Sequence, residues 1–117
     1  MPSFDISYDA DDDVLEACFE VFDDSNARTI QLNDNVIVFA NRGLTRVWAV
    51  TFYAYRSLLS VGETVFTGLR DLPDGEAGAV VDMLAGGPVT AFIDLFDREE
   101  SIARVLSPHL RVLLDEA

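Results

Sequence analysis

"LTRVWAVTFYAY", residues 44–55, places apolar side chains on both of its alternating sets. Val47, Ala49 and Thr51 form one set; Trp48, Val50 and Phe52 form the other. Successive side chains of a strand point to opposite faces, so this stretch reads as a strand whose two faces both need cover. Which part of the chain covers each face is the question that decides the fold.

Upstream lie four shorter strands. Phe4, Ile6 and Tyr8 alternate, and Leu15, Ala17, Phe19 and Val21 alternate again with Glu16 and Glu20 opposite. "DDSN" at 23–26 is turn chemistry, followed by Ile30 and Leu32 alternating with Thr29 and Gln31. Asn33, Asp34 and Asn35 tolerate left-handed backbone angles and lead into "VIVFA". Gly43 then stands where a three-residue hairpin loop wants a positive φ.

Downstream the period changes. Ala77, Val80, Val81 and Leu84 repeat at helical spacing, with Asp74 as N-cap and Gly86, Gly87 and Pro88 as the stop. "SVGETVFTGLRDL" at 60–72 reads as a shorter helix through Val65, Leu69 and Leu72. "PVTAFIDLF" at 88–96 fits a helix through Val89, Phe92, Ile93 and Phe96, and also a strand through Val89, Ala91, Ile93 and Leu95; the helix is preferred. "SPHLRVLL" at 107–114 reads as a last helix or turn, with Ser107 as N-cap and Pro108 at the first helical position. The expected fold is therefore α+β: a five-stranded antiparallel β-meander over 1–56, then three or four helices over 57–117 packed on the sheet as one domain. If the helices cover only one sheet face, a homodimer joined sheet to sheet through Trp48, Val50 and Phe52 would cover the other. Helices split across both faces are the competing solution.

Charge narrows the function classes. The 117 residues carry a formal net charge of −13, and every one of the eight basic residues is an arginine. Those arginines are scattered, so no basic stripe meets a phosphate backbone, and an acidic membrane surface repels the chain. A basic protein partner, a salt-rich cytoplasm or plain solubility suits the same charge, solubility being the commonest reason. A single cysteine, Cys18, allows no intrachain disulfide and no cysteine metal cluster. With neither a signal-like start nor a membrane-length apolar run, a cytoplasmic location is expected.

The acidic stretch "YDADDDVLEACFE", residues 8–20, has two readings. Counted from Asp9, Asp11 and Asp13 take the third and fifth positions of a calcium loop and Glu20 the twelfth. The sixth position wants glycine, however, and holds Val14, after which the chain alternates like a strand. The turn reading is preferred: Asp9 and Asp13 bond nearby backbone N–H groups and shape the hairpin, as Asn33, Asp34 and Gly43 shape the later ones. No metal or cofactor is expected.

Catalytic signals are thin. His109, the sole histidine, follows Pro108 near the end of the chain. Cys18 sits between Glu16 and Glu20, whose charge disfavours a thiolate. Asp94 and Asp97 form a carboxylate pair that a cleft could use for acid–base work, and a small hydrolase of that kind is the alternative to a non-catalytic interaction domain.

The order of elements over residues 1–60 resembles the short bacterial proteins grouped as domain of unknown function 2283. The matching positions are Tyr8, Asp9, Asp13 and Leu15, then "ARTIQLNDNVIV" at 27–38 and "RGLTRVWAVTF" at 42–52. Ala10 stands where that family usually has proline, and Ala49 and Val50 replace a Gly-Glu-like pair. The resemblance implies a β-meander without established enzyme activity or cofactor. Since some members are encoded beside small basic toxin-like proteins, it also implies an antitoxin-like binding role.

Overall fold

The computed structural model describes residues 5–20, 22–86 and 89–106. Phe4, Val21, Gly87 and Pro88, and the expected terminal helix with Ser107, Pro108 and His109, lie outside the described residues. Five strands make the larger sheet: β1 (Asp5–Asp9), β2 (Val14–Cys18), β3 (Arg28–Gln31), β4 (Val36–Ala40) and β5 (Val47–Tyr53). All neighbours are antiparallel, in the order β1-β2-β5-β4-β3. This corrects the simple meander. The stretch "LTRVWAVTFYAY" takes the centre, where a meander would leave it at an edge: β2 pairs with β5, and the chain crosses to the far edge to form β3. An apolar strand with two buried faces gains most from two strand neighbours, so it displaces sequence order.

Two α-helices occur among the described residues, α1 (Tyr55–Val61) and α2 (Asp74–Leu84), fewer than the three or four expected. The rest of the second half folds as a three-stranded sheet in the order β6-β8-β7, built from β6 (Thr64–Val65), β7 (Ile93–Asp97) and β8 (Ile102–Val105). The helix expected over 60–72 is thus replaced. Gly62, at φ 79°, ends α1; β6 then pairs with β8, and a 3₁₀ turn spans Thr67–Asp71. The helix preferred over 88–96 becomes a 3₁₀ turn at Val89–Ala91 followed by β7. Here β8 supplies a ladder that the local pattern could not reveal, and tertiary pairing overrides propensity. The α2 prediction needs a smaller change: Pro73 holds the N-cap position, Asp74 is the first helical residue, and Val80 and Leu84 are fully buried.

The core lies between the larger sheet and the second half. Leu15, Ala17, Val36, Val38, Val50 and Phe52 from the sheet meet Phe66, Val80, Leu84, Phe92, Ile93 and Ala103, all fully buried. Tyr55, at the start of α1, packs its ring 5.6 Å from that of Phe52 and donates its hydroxyl to the Leu106 carbonyl at 2.7 Å. Burial pushes the Tyr55 phenol up to about 12 from an unfolded value near 10. A raised folded pKa gives stability that is complete below pH 10 and lost as pH climbs towards 12, at most about 2–3 kcal/mol. Urea titrations at pH 9 and pH 11.5 should therefore show a loss of stability that Tyr55→Phe largely removes; an unchanged loss in that variant would place the cause elsewhere.

The hairpin loops are organised by side chains. Asn41 Oδ1 accepts from the N–H groups of Thr45 and Arg46, both at 2.9 Å, and the Asn41 carbonyl accepts from Leu44 N–H. The positive φ falls on Leu44, at 56°, and not on Gly43 as expected. Leu44 is buried, so anchoring its side chain in the core outweighs the cost of about 1–2 kcal/mol for a left-handed residue. Asn33 Oδ1 likewise accepts from Asn35 and Val36 N–H, while its amide nitrogen donates to Thr64 Oγ1 and the Val65 carbonyl, tying the two sheets together. Asp34 is exposed at that turn.

Candidate functional site: the outer face of the larger sheet

One irregularity in β5 shapes this face. Ala40 pairs with Val47 and Phe39 with Ala49, so one step on β4 spans two on β5 and Trp48 is the extra residue of a β-bulge. A bulge reverses the alternation that follows it. Val47 therefore shares the core face with Val50 and Phe52, whereas Trp48 joins Ala49 and Thr51 on the opposite face. This separates the expected interface residues. Val50 and Phe52 are covered by the chain's own second half and are unavailable to a partner, which leaves Trp48.

Around Trp48 the outer face gathers other apolar groups. The Phe22 ring stacks 5.4 Å from Trp48 and 5.8 Å from Phe39. Ile37 and Phe39 project from β4, Val14 and Cys18 from β2, and Tyr53, 42% exposed, closes the far end of β5. Ala49 and Thr51 between them are buried. The Trp48 carbonyl accepts from Phe19 and Glu20 N–H, at 2.8 and 3.3 Å, so the segment leaving β2 is bonded to the bulge. Among the described residues, the second half contributes to the core on the Val50 and Phe52 side alone.

Charge on this face has one sign. The outward positions of β1 and β2 hold Asp5, Ser7, Asp9 and Glu16, all exposed, and those of β3 hold Thr29 and Gln31. Arg28 points inward, to Glu76 of α2. Arg46, on the loop beside Trp48, is paired with Glu20 at 2.6 Å. Every charged side chain that the five strands carry outward is thus a carboxylate.

The acidic stretch at 8–20 forms the turn of the β1–β2 hairpin. Asp9 Oδ1 accepts from Asp11 and Asp12 N–H at 3.0 and 3.2 Å. Asp13, in the left-handed region at φ 57°, accepts from Tyr8 Oη at 2.6 Å and from Arg56 N–H at 3.1 Å. It thereby caps α1, whose own N-cap position is Ala54 with no side chain to offer. The Tyr8 hydroxyl, with the Arg56 N–H and guanidinium behind it, holds the Asp13 carboxyl below the usual carboxylate range. Asp9 and Asp13 are thus committed to backbone groups and Glu20 to Arg46. No group of three or more potential metal ligands converges among the described residues.

The remaining chemical candidates share no cleft among those described. Asp94 is exposed on β7, and Asp97 Oδ1 accepts from Glu100 N–H in the turn to β8. Two shallow clefts, of about 290 and 340 Å³, share Arg98. Asp94 lines the first and Asp82 the second, so neither brings two carboxylates together. The Cys18 thiol donates to the Glu20 carbonyl at 3.2 Å. No helix among the described residues is long and apolar enough to cross a membrane. Sequence periodicity does not reveal the aromatic cluster of Phe22 and Phe39 around Trp48; the apolar residues on both alternating sets of 47–52 are its one signal. Comparison of the chain with family models, curated proteins and solved structures finds no match in any of the three.

Proposed function

We propose that this chain is a non-catalytic protein-interaction module whose working surface is the outer face of the larger sheet. The observation that carries this reading is the one-sided cover among the described residues. The second half packs on the Val50 and Phe52 face, while Phe22, Ile37, Phe39 and Trp48 remain partly exposed together on the other. Tryptophan and tyrosine anchors in such a patch are the residues from which interfaces draw most of their energy. A sheet-to-sheet homodimer is one occupant, and a basic protein is the other that the net charge of −13 favours. The latter agrees with the antitoxin-like role implied by the resemblance to domain of unknown function 2283. The carboxylate-pair hydrolase receives no support from the separate settings of Asp94 and Asp97.

Phe39→Asp tests the reading, because it charges the patch without opening the core. Wild-type protein recovered from its own cells should carry a second chain in fixed ratio, either another copy or a different protein, by light scattering and mass analysis. The variant should lose that chain while keeping its circular dichroism spectrum and a stability within about 1 kcal/mol of wild type. A wild-type protein that is monomeric and alone, or a variant that keeps its companion, would sink the proposal.

A further inference from the structure

We infer, on the footing of that interaction reading, that the outer face docks a cationic amphipathic helix of another protein in preference to a second copy of this chain. Charge points this way, and the dimensions of the face permit it.

Five strands at ~4.8 Å spacing and five residues at ~3.4 Å give a face of roughly 24 Å by 17 Å, on the order of 400 Å². That is about half of the ~800 Å² each partner buries in a standard interface. A helix about 10–12 Å wide, with ~18 Å of length in about 12 residues, matches the strand length and fits between the sheet margins.

The charge pattern selects the kind of helix. The apolar lane runs along β4 and β5 through Ile37, Phe39, Trp48 and Tyr53, and the acidic lane runs beside it on β1 and β2 through Asp5, Asp9 and Glu16. A helix with its apolar stripe on the first lane and lysines or arginines along one flank meets both lanes at once. A second copy brings another net charge of −13 and no outward cation from its strands. Complementary charge speeds encounter with the cationic helix, and like charge opposes self-pairing.

Trp48 is the chain's one tryptophan and lies in the apolar lane, so its emission reports occupancy directly. The probe is a synthetic amphipathic peptide of about 15 residues of leucine, lysine and alanine, long enough to become helical on the sheet. Its counterpart has glutamate in place of every lysine. The lysine peptide should give a saturable blue shift of Trp48 emission that weakens as salt rises, and the glutamate peptide none. The double variant Asp5→Asn, Glu16→Gln should bind the lysine peptide about fivefold more weakly. Phe39→Asp, or Phe39→Ala if the charged variant does not fold, should abolish the shift.

The inference is overturned by an equal response to both peptides, by a response indifferent to Phe39, or by no response. It is overturned too by a protein that is already dimeric with Trp48 shielded. That last result leaves the interaction reading intact and gives the face to a second copy. A monomer with Trp48 already shielded overturns both, by assigning the face to the chain's own residues.

Discussion

Gly68→Ala should cost about 3 kcal/mol or more of folding stability, a large part of the ~5–15 kcal/mol a domain of this kind has. Gly68 lies in the 3₁₀ turn at Thr67–Asp71, where that turn runs against the end of β3, and its N–H donates to the Leu32 carbonyl at 2.7 Å. A Cβ there would sit 1.9 Å from the Gln31 carbonyl oxygen, 3.0 Å from the Gln31 carbonyl carbon and 3.1 Å from the Leu32 oxygen. All three are backbone atoms that cannot rotate away, so the turn must lift off the sheet edge. Lifting stretches the Gly68 hydrogen bond, worth about 1 kcal/mol net, and loosens the neighbouring buried Phe66 and Leu69. The control is Gly78→Ala in α2, where a Cβ meets nothing within 4 Å and helix propensity predicts a gain of up to about 1 kcal/mol. Urea denaturation of both variants checks the pair. Equal stabilities would mean that the turn does not press on the Gln31 backbone.

The second large effect separates the two faces of β5. Phe52→Ala removes a fully buried ring packed against Tyr55 and Phe92 at centroid distances of 5.6 and 6.4 Å. The transfer loss and the cavity together should cost about 3–5 kcal/mol. Trp48→Ala removes a larger ring from a partly exposed site, where solvent can fill the gap, and should cost less than half as much. The contrast matters because the plain alternation of 48, 50 and 52 makes these residues equivalent. If Trp48→Ala proves as damaging as Phe52→Ala in the isolated protein, Trp48 is core and the outer face is no docking surface.

The bulge at Trp48 shows how far a sequence pattern can be followed. Apolar residues on both alternating sets of 47–52 mark a strand with little polar surface, and its place at the centre of the sheet comes only from pairing with β2 and β4. One inserted residue opposite the step from Phe39 to Ala40 then exchanges the faces of everything after it. Nothing in β5 alone announces the bulge; it appears only when β4 and β5 are paired. The second half fails for a related reason. Ile93–Asp97 is consistent with helix and strand periods alike, and what makes it strand is Ile102–Val105, pairing Ile93 with Val105 and Asp94 with Arg104.

The sequence by itself determined the α+β class, the strand character of 47–52, the α2 stripe through Val80 and Leu84, and the turn bonds that Asp9 accepts. These are local or composition-borne properties, set by periodicity and by short-range hydrogen bonds within a few residues. Tertiary structure alone decided the strand order β1-β2-β5-β4-β3, the second sheet, the capping of α1 by Asp13, and the sorting of Trp48 from Val50 and Phe52. Each depends on which distant segment supplies a backbone partner, and side-chain alternation specifies a face only after that partner has fixed the register.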